Sequence, residues 1–313
     1  AHGLPTAYKD FMRFCKAVPT ILLYKESMSI SDAIENADIH SKIKAVIGSE
    51  LNDDAGILEN KTISMLQELN DCIQENIWYT YFEIIEEKMK GDNWIDFEGE
   101  ISEVVECMDR IIDKLEEEYS NTIFINHIAY SEKFKNFSNN FFSKQRPILS
   151  GRKIREMCFN DLEKLTRALE IYLSSFVEKI DCDKLDIIAD IEPDYVMNFN
   201  YTHTYERIYG INLRKPKVFH VHGECNVGNS VKENNMVLGI DEYWEGRDKD
   251  IHTNFSVFKK FVQRIRKKTG AGIYTVLKTI ENMHEVSNYE TPIYVFGHSL
   301  DKTDKDILSQ LLG

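Results

Sequence analysis

Three short polar segments each follow an apolar run, and each carries side chains able to handle water, protons or phosphate. The first is Asn198-Phe199-Asn200-Tyr201-Thr202, after Tyr195-Val196-Met197. An amide at such a place can hold a water or a sugar hydroxyl, or it can cap the helix that follows. The second is His220-Val221-His222-Gly223. Alternation along a strand puts the two histidines on one face, and Gly223 allows close backbone approach. A histidine there can act as a general base near neutral pH, join a metal site, or serve as a hydrogen-bonded structural group. No third ligand follows at a recognisable spacing, so no metal is expected. The third segment is Gly297-His298-Ser299-Leu300-Asp301, a glycine turn leading into a helix that Thr303 and Asp306 can start. Free N–H groups at a helix start bind phosphate or ribose oxygens.

Elements that must position these segments can be read from the periodicity. Runs rich in β-branched and aromatic residues predict strands at 195–199, 217–221, 236–240 and 292–296, alternating with helical patterns at 255–268, 271–286 and 303–312. Such alternation implies a mostly parallel sheet, whose ligands lie beyond the carboxyl ends of the strands. Earlier in the chain the period is helical. Tyr8, Phe11, Met12 and Cys15 mark a first helix, with Thr6 placed to cap it. Ile63 through Ile85 reads as one long helix ending near Gly91. Val104, Val105, Met108, Ile111, Ile112 and Leu115 form the stripe of another, and a third runs from about Arg155 to Ile180 on Leu162, Leu165, Leu169, Tyr172, Leu173 and Phe176. Residues 26–60 are weakly patterned and read as loops and short helices. The expected fold class is therefore α/β: a Rossmann-like, mostly parallel sheet formed by residues 1–25 and 187–313, with an all-helical insertion at 26–186.

Composition narrows the function. The 313 residues carry 52 Asp+Glu against 38 Lys+Arg, a net charge of -14. That balance repels phosphate backbones and makes nucleic acid a poor partner. Six scattered cysteines with no CxxC pair support neither a zinc framework nor a disulfide scaffold. No stretch of about 18 apolar residues offers a membrane span, and the first residues lack the pattern of a signal peptide. No membrane association is expected, and a cytoplasmic protein is.

These segments carry a family resemblance. His2-Gly3-Leu4-Pro5-Thr6 with Tyr8 and Phe11, Asn93-Trp94-Ile95-Asp96-Phe97-Glu98, Asn198-Phe199-Asn200-Tyr201-Thr202, His220-Val221-His222-Gly223, Leu238-Gly239-Ile240-Asp241, and Gly297-His298-Ser299-Leu300 with Asp304 resemble the AbiH family in order and across the whole chain. AbiH proteins act in abortive infection, the defence of bacteria against phage. That family opens with a strand and a Gly-Asn-Gly-Phe-Asp turn just ahead of the His2 segment, so a phosphate-cradling loop is expected to precede Ala1. The end at Gly313 likewise looks early.

The same order of motifs is more distantly similar to the sirtuin-like NAD-hydrolase group. That resemblance implies NAD as substrate or ligand, Asn200 as the group orienting water or the nicotinamide ribose, and His222 as general base. It also implies Gly297, His298 and Ser299 as the turn on the adenosine half of the cofactor, with Gly3, Pro5 and Thr202 completing the binding site. Thr202 stands where that group usually has Asp. The implied partners are a nucleotide and a phage-derived trigger, and a homo-oligomer is compatible. Without turnover, the same site would make a nucleotide sensor. A nucleic-acid-cleaving effector with Asp241, Asp301 and Asp304 on a metal is disfavoured by the charge. Trp94, Asp96 and Glu98 read as helix anchors more readily than as groups reaching into the site.

Overall fold

Phe11, Phe14, Cys15, Val18 and Ile21 recur at three- and four-residue intervals, and they form the buried face of helix α1, Tyr8–Leu23. The computed structural model describes residues 7–23, 30–51, 58–88, 96–117, 151–210, 216–240, 255–287, 292–297 and 304–312. Short helices α2 (Ile30–Asn36) and α3 (Ser41–Ser49) occupy the weakly patterned stretch. The long helix expected from Ile63 onward is two helices, α4 (Asn60–Ile73) and α5 (Ile77–Lys88). Asn76 divides them. Its Oδ1 accepts the backbone N–H groups of Trp78 and Tyr79 at 3.0 and 3.1 Å, while its Nδ2 donates to the carbonyls of Cys72 and Asp161. Apolar periodicity continues across the break because both helices face one core, and a buried amide capping α5 does not interrupt that pattern.

Helices α6 (Phe97–Glu117) and α7 (Gly151–Ser175) complete the helical layer. Tyr172 of α7 lies 5.6 Å from Phe11 and 5.0 Å from Phe14. Phe97 stacks on Tyr8 and on Phe82, with ring centroids 4.1 and 4.0 Å away. Such ring pairs each contribute about 0.5–1.5 kcal/mol beyond burial. They place the N-terminus of α6 directly beside that of α1.

The remainder runs α8 (Asp186–Ala189), β1 (Tyr195–Asn198), α9 (Thr204–Tyr209), β2 (Lys217–His220), α10 (Lys260–Lys267), α11 (Gly272–Ser287) and α12 (Lys305–Leu312). Strands β1 and β2 are parallel, with Tyr195 opposite Lys217 and Asn198 opposite His220. Among the described residues these two strands are the whole sheet. The protein is mostly helical with a small parallel sheet, and the expected Rossmann-like, sirtuin-like sheet is not what forms.

The two runs misread as strands fail for different reasons. Met236, Val237 and Leu238 are fully buried, but the carbonyl of Met236 accepts from Lys267 Nζ at 2.6 Å and that of Leu238 from Gln263 Nε2 at 2.8 Å. Side chains of α10 thus satisfy backbone groups that a neighbouring strand would otherwise take. Gly239 lets this happen, since a Cβ there would lie 2.3 Å from the Phe258 carbonyl oxygen. Residues 292–296 form no ladder among the described residues, and Ile293, Tyr294, Val295 and Phe296 are 45–61% exposed. A short apolar run does not by itself distinguish a strand from other extended chain. No helix among the described residues is long and apolar enough to cross a membrane.

A buried ion pair joins the helical layer to the chain beyond β2. Arg167, 1% exposed, reaches Glu170 at 2.7 Å and Glu68 at 2.8 Å, and donates to the carbonyls of Asn226 and Val227. Glu170, fully buried, accepts from the Asn226 backbone N–H and from the amides of Asn229 and Asn234. Removing one partner of such a pair leaves a charge stranded in low dielectric. Arg167→Met is therefore expected to lower the unfolding free energy by about 3–5 kcal/mol, measured by urea denaturation. A loss well below about 1 kcal/mol, the range of an exposed pair, would show that this contact carries little.

Candidate functional site

The turn after β1 is organised by Asn198, which is 9% exposed. Its Oδ1 accepts the backbone N–H of Asn200 at 2.9 Å and its Nδ2 donates to the carbonyl of Thr202 at 3.1 Å. Tyr201 then anchors the turn by donating its hydroxyl to the Val237 carbonyl at 2.7 Å. Beside it, β2 ends at His220 and the chain reverses through Gly223, whose φ is +84°. A Cβ on Gly223 would lie 2.2 Å from the Asn235 carbonyl oxygen, so the turn admits only glycine.

This reversal separates the two histidines expected on one face. Strand alternation applies only while the strand lasts, and Val221 and His222 already lie in the turn. His220 turns to Asn200 and Glu206, whereas His222 turns to Asp304 and packs against the edge of Phe199, 5.8 Å between centroids.

His222 is 5% exposed, and its Nε2 lies 2.8 Å from Asp304 Oδ1. A carboxylate can only accept, so Nε2 carries the hydrogen and Nδ1 the lone pair. Among the described residues Nδ1 has no hydrogen-bond partner. Burial holds the His222 pKa below the ordinary imidazole value, although Asp304 pulls the other way. For Asp304, burial opposes ionisation but His222 and Lys260 outweigh it, and its pKa lies well below the carboxylate range.

Lys260, the first residue of α10, extends this pair into a chain. Its Nζ lies 3.3 Å from Asp304 and 2.8 Å from Glu98 in the first turn of α6. The Lys260 side chain is 4% exposed; burial works against its charge, but the two carboxylates more than compensate and raise its pKa. Burial raises the pKa of Glu98 in spite of Lys260. Tyr8 and Tyr201 border this chain, both pushed upward by burial and then by Glu98 and Asp304, with Tyr8 adding to the rise of Tyr201.

The expected site residues are distributed as follows. Asn200 is exposed; its side chain forms no hydrogen bond among the described residues, and its carbonyl faces His220 Nδ1 at 3.0 Å. Thr202 is 7% exposed, its hydroxyl 3.1 Å from that of Thr204. Gly297 has a φ of +65°, and a Cβ there would meet nothing within 4 Å. Gly3, Pro5, His298 and Ser299 lie outside the described residues, as do Trp94, Asp241 and Asp301. Lys260 was not singled out from the sequence, because a lone lysine in a helical pattern reads as a solvated cation. Glu98 and Asp304 stand in the quoted motifs, but nothing in their spacing ties them to His222.

The family model described as bacteriophage abortive infection AbiH matches residues 1–313, the entire chain. No curated protein and no solved structure matches. The chain belongs to the AbiH family.

The depressed pKa of His222 sets a sign for stability against pH. Above its unfolded value of about 6.5 the ring is neutral in both states. As pH falls below that, the unfolded chain takes the proton first, so stability declines until the folded-state pKa is reached. Asp304 contributes in a lower window, below about pH 4, where its pairing is lost by protonation. His203, whose pKa its hydrogen bond to Glu178 raises to about 9, adds the opposite slope to wild type and variant alike, so the difference is what reports on His222: between about pH 7 and 5 the urea midpoint of the wild type should decline relative to that of His222→Gln. Equal slopes in both would show that His222 is not held neutral.

Proposed function

We propose that this AbiH-family chain acts in abortive infection by binding NAD over the turns that follow β1 and β2 and hydrolysing its nicotinamide–ribose bond. The observation that carries the proposal is the His222 ring, held through Nε2–H by a buried carboxylate with its Nδ1 lone pair unpartnered. A base oriented by a third group is the arrangement that proton abstraction needs.

In the reaction, the C–N bond to nicotinamide breaks and the ring leaves neutral, taking the bonding pair to its pyridinium nitrogen. Water oxygen bonds to the ribose carbon as His222 Nδ1 takes its proton, giving nicotinamide and ADP-ribose. Asp304 stabilises the resulting imidazolium, while Lys260, itself held by Glu98, keeps Asp304 ionised and in place. Asn200 would position the water from the exposed side of the turn. Thr202, Gly297, His298, Ser299, Gly3 and Pro5 would hold the nucleotide. A phage-derived trigger in the cytoplasm would start the reaction, and depletion of NAD would halt phage growth. A homo-oligomer is compatible with this role.

One observation favours a second reading. His222 is nearly enclosed, so a nucleotide could bind over Asn200 and switch the conformation without reaching the base.

The test is NAD loss and nicotinamide release by the protein with phage lysate as trigger. A general base normally supplies about 10²–10⁴-fold in rate, so His222→Ala should lose at least about 10²-fold, and Asn200→Ala should also be impaired. Intact NAD that is bound by triggered wild-type protein would sink the hydrolase reading in favour of the sensor.

A further inference from the structure

On the other side of the same turns, two histidines face carboxylates in a way that neutral rings cannot satisfy. His203 Nδ1 lies 2.8 Å from Glu178 Oε1, and its Nε2 lies 3.0 Å from Glu224 Oε2. His220 Nδ1 lies 3.0 Å from the Asn200 carbonyl oxygen, and its Nε2 lies 2.7 Å from Glu206 Oε1. A carbonyl only accepts, so His220 Nδ1 carries hydrogen; His203 faces a carboxylate at each ring nitrogen, and its neutral ring is taken with hydrogen on Nδ1, toward the Glu178 oxygen that also receives its backbone N–H. Each Nε2 then presents a lone pair to a carboxylate oxygen, acceptor against acceptor. Positive charge must lie between them, either as one proton on each ring or as one cation shared by all. With ring centroids 5.0 Å apart, two imidazolium ions would repel each other.

We propose that His203 and His220, through Nε2, together with Glu224 and Glu206 form a binding site for a divalent transition-metal ion, with zinc the best match to the donor set. Donor atoms of His203, His220 and Glu224 all lie within 4.8 Å of one another. A tetrahedral zinc with bonds of about 2.0–2.2 Å needs donors about 3.3 Å apart. Closing that difference requires rotation of the half-exposed Glu224 and of the partly exposed Glu206, which lies against His220. Two imidazoles and two carboxylates supply the borderline donors and the negative charge that zinc accepts.

The outer contacts are those of a metal site. Metal-bound histidines donate their other ring N–H to a carboxylate or a backbone carbonyl, which sets the tautomer and raises ligand basicity. Glu178 does this for His203, and it accepts the His203 backbone N–H as well, at 2.6 Å. Asn200 does it for His220. The neighbouring thiol of Cys225 is a weaker candidate, because burial first and Glu178 second push its pKa well above the ordinary thiol value and keep it protonated. The backbone N–H of Glu224 is bonded to Asn235 Oδ1, which fixes the turn presenting that ligand. Occupied, the site would tie α9 to the end of β2 and set the position of Asn200. It stands on these contacts alone, independently of whether NAD is bound or cleaved.

The experiment is calorimetric titration of zinc chloride alone into chelator-stripped full-length protein, repeated with cobalt(II) to read coordination from its visible absorption. Wild type should bind one equivalent of zinc and show the intense bands of four-coordinate cobalt. His203→Ala with His220→Ala should abolish both. Glu224→Gln, on an exposed side chain that the fold tolerates, should weaken binding, and Glu178→Gln should do so by about 10–100-fold. Absence of saturable zinc binding by stripped wild type overturns the site. So does equal stoichiometry and affinity in the folded double-histidine variant, or in both glutamate variants.

Discussion

An ammonium group withdrawn from water at Lys260 can stay charged only because carboxylates from two distant parts of the chain close on it. Glu98 comes from the first turn of α6 and Asp304 from just before α12, and Lys260 itself begins α10. Their meeting point lies where Phe97 stacks between Tyr8 and Phe82, so packing in the helical layer and charge pairing at the site impose one geometry. Burying such ions costs several kcal/mol each, and the arrangement holds only while each charge keeps its partner. The consequence reaches His222, because the oxygen of Asp304 that accepts from Lys260 also accepts from the imidazole.

The small sheet needs support that strand pairing does not give it. Two strands of four residues are marginal by themselves. Here the chain after β2 is clamped from the helical side by Arg167 and Glu170, and the following extended run is capped by Gln263 and Lys267. Just ahead of those clamps, Gly223 allows the reversal that sends His220 and His222 to different surroundings. One histidine is enclosed beside a buried carboxylate. The other joins His203 among glutamates. Residues two apart thus meet different surroundings because the strand stops between them.

Much of the helical layer was legible in the sequence, since burial on one face of a helix leaves a period of three and four, as in α1 and α7. The break at Asn76 was not legible, because capping by a buried side chain leaves that period intact. Strands β1 and β2 were readable as short β-branched and aromatic runs. The similar runs at 236–240 and 292–296 are not strands, one being satisfied by side chains and by isolated backbone bonds to His222 and Phe258, the other lacking a ladder among the described residues, so the expected Rossmann-like sheet does not form. At the site, His222 stood out as a polar residue beyond an apolar run. Asn198, which organises the turn, sits inside the strand pattern, where nothing in its spacing sets it apart from Asn200. Lys260 could not have been found, since its burial depends on Glu98 and Asp304, 162 residues before and 44 residues after it. The family motifs marked both acids without saying what they would touch.

The tautomer of His222 is read in the folded protein at neutral pH by nitrogen-15 NMR of the imidazole ring. A neutral ring with hydrogen held on Nε2 and a pyridine-like Nδ1 is the predicted result, and it should disappear in Asp304→Asn. A charged ring, or one exchanging freely between tautomers, would contradict the buried pairing from which the function is argued.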